Sequence, residues 1–275
     1  MKKQICIVLA LGIALVLASC GKSGTPAAVP EITTAQAIKA TAEPEPTTES
    51  TEEITTDEEI TEIEETEYKK PGTVAEIVAF YNDAANRVKT ELPGYSFTEQ
   101  TRINSVFGGA EWMMNMLSDA INRDTPQAAT VKKGESHKDF AIPGKDWASM
   151  LAADMVQSAS CTEKGGLYEI RINMKTEARP DLPSNVEEHN HGRVFKIYNR
   201  GMIYGAMSGY ESLAKMEKFA PTYHDCYLVC TVDKDGSMKS AQYYLTFGAE
   251  IEMKLTSFIP LRASADISVT GKYVF

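Results

Sequence analysis

Apolar residues first recur at helical spacing. Val74, Ile77, Val78, Tyr81, Ala85 and Val88 share one face of a helix that Thr73 and Glu76 can cap reciprocally. Leu92, Pro93 and Gly94 end it. Tyr95 to Val106 is polar and partly alternating, and reads as an extended segment. Helical spacing returns from Gly109 to Arg123, on Trp112, Met113, Met116, Leu117, Ala120 and Ile121. Residues 124–144 read as loop. A third helix is expected from Asp146, burying Trp147, Met150, Leu151 and Met155.

The period then shortens to two. Tyr168, Ile170, Ile172 and Met174 alternate with Glu169, Arg171 and Asn173. A short helix is expected near Tyr210–Lys218. Four strands follow, at Thr222–Val232, Lys239–Phe247, Ala249–Phe258 and Ser264–Val274. Asp233 to Gly236 forms the turn between the first two, where glycine accepts positive φ. In the last two, Ile251, Met253, Leu255, Ala265, Ile267 and Val269 oppose charged or hydroxyl neighbours, so one face packs and the other stays polar. The expected fold class is α+β: a curved antiparallel β-sheet, a C-terminal meander, with helices mostly from the N-terminal half packed on one face.

Ahead of this domain, Lys2 and Lys3 precede an apolar run from Ile5 to Leu17, too short to span a bilayer. It closes on Leu15-Val16-Leu17-Ala18-Ser19-Cys20. These twenty residues resemble the signal and lipobox of bacterial lipoproteins. The resemblance implies cleavage before Cys20, so that residues 1–19 are a signal peptide, and acylation of Cys20 on its sulfur and new amino group. Acyl chains would then anchor the chain to the membrane on its extracytoplasmic face.

Charge divides the remainder. Residues 21–70 carry 13 acidic residues and four lysines, rich in Thr, Glu and Pro, with almost nothing large to bury. Residues 20–70 are therefore expected to form an extended, disordered tether. Residues 71–275 carry 25 acidic and 22 basic residues, so most of the net charge of −10 belongs to the tether. No basic surplus speaks for a nucleic-acid partner.

Glu187, Glu188, His189 and His191 are the densest group of potential zinc or copper ligands. They follow a proline-containing run from Arg179 to Pro183 and read as an exposed loop, on which the two histidines point apart. No cofactor is expected. Asp233 to Ser237 opens like a calcium loop, but Tyr244 stands where its last carboxylate belongs. Ser212 and Lys215 match S-x-x-K without the companion elements of that catalytic class. Cys226 and Cys230 lie four apart on one predicted strand, ~13 Å, too far for a disulfide. Tyr227 is expected to face Tyr243 or Tyr244 across the hairpin, and the three are candidates for a ligand groove.

These features predict a lipid-anchored, non-enzymatic binding module for an apolar ligand or an envelope protein. The helix-then-sheet order is loosely similar to lipoprotein-carrier half-barrels, whose sheet and helices enclose acyl chains. The alternative is an envelope hydrolase of wall or host polymers. An apolar cavity between sheet and helices would favour carriage, and a cleft joining His224 or residues 187–191 to carboxylates would favour catalysis.

Overall fold

The computed structural model describes residues 68–108, 126–207, 214–255 and 259–275, together with Asn115 and Ser212. The expected signal peptide, nearly all of the tether and the expected helix at 109–123, apart from Asn115, lie outside the described residues.

Helix α1 spans Val74–Glu91. The Glu76 N–H donates to Thr73 Oγ1, and Glu76 Oε2 accepts from the N–H groups of Thr73 and Gly72, so the expected capping box is formed. Its apolar face, from Ile77 to Val88, packs toward strands β3 (Val156–Lys164) and β4 (Leu167–Met174). Packed structure reaches back before Pro71. The Tyr68 N–H donates to the Lys234 carbonyl, its carbonyl accepts from Tyr168 Oη, and its ring meets Phe80 at 5.1 Å.

All strand pairs are antiparallel and form one sheet. Besides β3 and β4, the strands are β1 (Tyr95–Gly108), β2 (Gln127–Val131), β5 (Glu177–Ala178), β6 (Ala214–Asp233), β7 (Met238–Leu255) and β8 (Ile259–Val274). Their order is β2-β1-β8-β7-β6-β4-β3, with the short β5 also paired to β6. The sheet is open, and β2 and β3 each pair on one side only. Helices are few among the described residues. The second, α2, spans Arg200–Met207.

Several expectations are corrected. The two strands predicted at Lys239–Phe247 and Ala249–Phe258 are one strand, β7. Gly248 does not interrupt it, because Thr222 and Asp266 pair with it from either side. Residues 214–218 begin strand β6, not the end of a helix, with Ala214 and Met216 buried and Lys215 and Glu217 outward. β2 lies inside the predicted loop 124–144, and its burial shows no inward face. No α-helix forms at 146–155, where only Ala153–Met155 makes a 3-10 turn. Residues 148–151 are instead held by α1 side chains. Asn86 Oδ1 accepts from the N–H groups of Ala148 and Ser149, Asn86 Nδ2 donates to the Ser149 carbonyl, and Asn82 serves Leu151 in the same way. These amides satisfy the backbone that a helix would otherwise have to satisfy.

The core joins the inward strand residues, such as Ile170, Ile172, Leu245, Phe247 and Ile267, to α1 and to Phe140, Phe195 and Ile197 from the connecting segments. No helix among the described residues is long and apolar enough to cross a membrane.

Candidate functional site

The predicted metal loop is a buried structural clamp. His189 is 4% exposed and His191 1%. Residues 186–193 coil into two 3-10 turns around Glu177 of β5. Glu177 accepts from the N–H groups of Asn190 and His191, from His191 Nδ1 at 2.8 Å and from Arg179. Burial alone would push its carboxyl up, but these donors outweigh it and hold the pKa at about 2. The His191 ring stacks on Tyr223, centroids 4.8 Å apart. Burial lowers the pKa of His189. Glu187 pairs outward with Lys145, and Glu188 accepts from the N–H groups of Ser184 and Asn185. Glu187, Glu188 and His191 thus hold separate hydrogen-bond partners. His189 packs edge-on against Tyr223, and its buried Nδ1 has no hydrogen-bond partner among the described residues. Among the described residues no three His, Cys, Asp or Glu side chains are placed to hold a metal ion.

The tyrosines divide between the two faces. Tyr227 pairs in register with Tyr244, and their rings stack at 5.4 Å on the side away from the core. Tyr243 points the other way. It is buried, and its hydroxyl donates to Glu99, which also accepts from Lys196 Nζ at 2.9 Å. Burial first, and then the Glu99 charge, raise the pKa of Tyr243 well above its ordinary value. The cavity beside it, bounded by Tyr81, Phe140, Phe195, Leu228 and Tyr273, has a volume of about 20 Å³. That is room for one water and none for an acyl chain.

Ser212 sits in an exposed turn and Lys215 points outward from β6, so no helix carries S-x-x-K. The hairpin turn forms as expected, with Gly236 at φ 86°. Cys161, Cys226 and Cys230 are free thiols. Cys161 and Cys230 both pair with Ile170, from opposite sides, which sets them two strands or ~10 Å apart. Burial pushes the Cys226 thiol up to about 12.

The outer face carries the chemistry. At a bulge in β6, Asp225 adopts φ 52°, and His224 lies between two carboxylates. Its Nδ1 is 2.9 Å from Asp225 and its Nε2 is 3.1 Å from Asp266. The hydrogen bond to Asp225 raises its pKa, burial opposes this, and Asp266 adds to the rise. Each ring nitrogen therefore faces a carboxylate, an arrangement that favours the protonated ring. Asn104 completes the cluster by donating to Asp266 and accepting from Ser268 Oγ.

Beside this cluster runs a band without a carboxylate. Asn173, Tyr227, Tyr244, Thr270 and Gln100 stand in register across five strands. The next row reads Arg171, Val229, Gln242, Lys272 and Thr98. The Arg171 guanidinium lies 4.1 Å over the Tyr227 ring, and Arg102 is held by Gln100 Oε1 at 3.0 Å. Arg171, Arg102 and Lys272 are exposed, and among the described residues none is paired with a carboxylate. Alternation along each strand already sets Arg171 and Lys272 on polar faces. β6, β7 and β8 are consecutive neighbours as the expected meander requires, but the common row also depends on the pairing of β4 with β6, which sequence reasoning missed.

Comparison with protein-family models, curated proteins and solved structures finds no match to this chain.

Proposed function

We propose that the protein is a lipid-anchored extracytoplasmic binding module, held to the membrane through Cys20, that engages its partner on the outer face of its sheet. The observation that carries this reading is the contrast between the two faces. Among the described residues one is packed by α1 and the connecting segments, and the cavity beside Tyr243 has room for about one water. The other bears a half-buried polar and aromatic row, from Asn173 to Gln100, beside a row that exposes Arg171, Gln242, Lys272 and Thr98. The interior therefore favours a surface partner over an enclosed apolar ligand. Bulges in β1, β3 and β6 increase local twist and favour a curved sheet, with the helices on its packed side. The hydrolase alternative gains little from His224, whose two nitrogens are both engaged by carboxylates.

The test is the full chain carrying Cys20→Ser. The unchanged protein is expected in the detergent phase of a phase partition and the variant in the aqueous phase. The variant should keep saturable binding to isolated cell envelopes. Loss of that binding together with the anchor would make membrane attachment the whole interaction and overturn the binding-module reading.

A further inference from the structure

The outer band has a specific chemistry. Arg171 on β4 and Lys272 on β8 lie three strands apart, ~14 Å. Arg102 on β1 stands in the row of Ser268, Thr246 and His224, further along the strand from Thr98, the partner of Lys272. Residues 71–275 hold more acidic than basic side chains, yet these three cations have no carboxylate partner among the described residues. The band is therefore a local positive strip on an acidic molecule, suited to an anion. Asn173 Oδ1 accepts from Arg171 Nε at 3.1 Å, and between the charges stand neutral donors and acceptors: Gln242, Thr270 and the tyrosine hydroxyls. Stacking of Arg171 on Tyr227 orients the guanidinium, which lowers the ordering cost of a bidentate contact.

The strip crosses the strands in the middle of the sheet, where the backbone is already paired. An acidic peptide would find its backbone partners at an edge strand, not here. A polymer of sugar acids supplies carboxylates at intervals, hydroxyls between them and no backbone amides to satisfy. We propose that the outer band binds an acidic polysaccharide laid across the strands, its carboxylates on Arg171, Lys272 and Arg102 and its hydroxyls on the amides and hydroxyls between them. The assignment rests on the binding-module reading and names the partner's chemistry.

The experiment titrates the full-length Cys20→Ser chain with polygalacturonate by calorimetry. Fully methyl-esterified polymer and polyglutamate serve as comparisons. Polygalacturonate should bind, and more weakly as salt rises. The esterified polymer, which lacks the charge, and polyglutamate, which lacks the hydroxyls, should bind far less. The triple variant Arg171→Gln, Arg102→Gln, Lys272→Gln changes only exposed side chains and should lose affinity by about tenfold or more. Lys132→Gln with Lys133→Gln, exposed positions outside the band, should change nothing. Unchanged affinity in the triple variant, equal binding of the neutral polymer, or no binding of polygalacturonate overturns the inference. Equal binding of polyglutamate transfers the site to acidic peptides and overturns it too. If the same chain binds envelopes but ignores polygalacturonate, the module reading stands and the acidic-glycan assignment alone falls.

Discussion

The ring of Tyr243 fills the space over Gly271, its partner on the neighbouring strand. A Cβ added at 271 would meet two ring carbons and the hydroxyl oxygen of Tyr243, all closer than 3.0 Å. The glycine is therefore required by packing, and its backbone need not be unusual. Gly271→Ala should destabilise the protein by about 1–3 kcal/mol, through the displaced ring. Combined with Tyr243→Ala, the cost should be clearly less than additive, because the clash is gone. Chemical denaturation of the single and double variants checks this. Additive costs would contradict the packing argument.

Glu177 is predicted to be an acid-sensitive support. Its carboxyl falls from the usual 4.5 to about 2 in the folded chain. A depressed pKa contributes stability that is present above about 4.5 and is lost as pH falls toward about 2. The shift corresponds to on the order of 3 kcal/mol. Glu177→Gln should lower stability near neutral pH by that order and flatten the pH dependence between the two values. Denaturation curves at several pH values measure both effects. A variant that keeps the steep acid dependence would place the sensitivity elsewhere.

His224 is expected to titrate above its ordinary value. Raised by Asp225 and Asp266, it contributes stability fully present below about 6.5 and lost as pH rises through its folded pKa. The imidazole proton resonances should report a titration that Asp266→Asn moves downward. An unmoved titration in that variant would show that Asp266 does not hold the ring.

Asn86 should matter for a segment far away in sequence. Asn86→Ala leaves the N–H of the fully buried Ala148 without its acceptor, at a cost of about 1–3 kcal/mol. Hydrogen exchange at Ala148 and Ser149 should accelerate, while amides of the β6–β7 ladder change only with global stability. Unchanged exchange at both residues would refute the clamp.

Removing the histidines should cost stability and release no metal. His191 stacks on Tyr223 inside the core and donates to Glu177. His191→Ala should therefore unfold at lower denaturant, by about 2–4 kcal/mol for a lost buried ring and an unpaired acceptor. Chelator should leave the melting temperature of the unchanged protein where it was. A melting temperature lowered by chelator would reinstate a metal at this loop.

Legibility followed burial. α1 was readable to its caps, because its apolar face and its terminal Thr73 and Glu76 obey local rules. The alternating strands β4, β7 and β8 were readable because one face of each is buried. β2 has no buried residue, and only Val156 of β3 is fully buried, so neither edge strand shows a period. The segment 146–155 misled for the opposite reason. Leu151 and Met155 are buried at helical spacing, but Asn82 and Asn86 hold the backbone between them. His189 and His191 read as exposed because Glu177 lies more than ten positions earlier and only β5 brings it to them.

By itself the sequence determined the local elements whose signals are local: the cap of α1, the glycine turn at 236 and the polar side of each alternating strand. The pairing of β4 with β6, the burial of the histidine loop and the alignment of Arg171, Tyr227, Lys272 and Arg102 on one face were decided by the tertiary structure. The physical reason is that pleat and helix period act between near neighbours along the chain. Pairing across β4, β6, β7, β8 and β1 joins residues as far apart as Ser96 and Val274, and no local period encodes it.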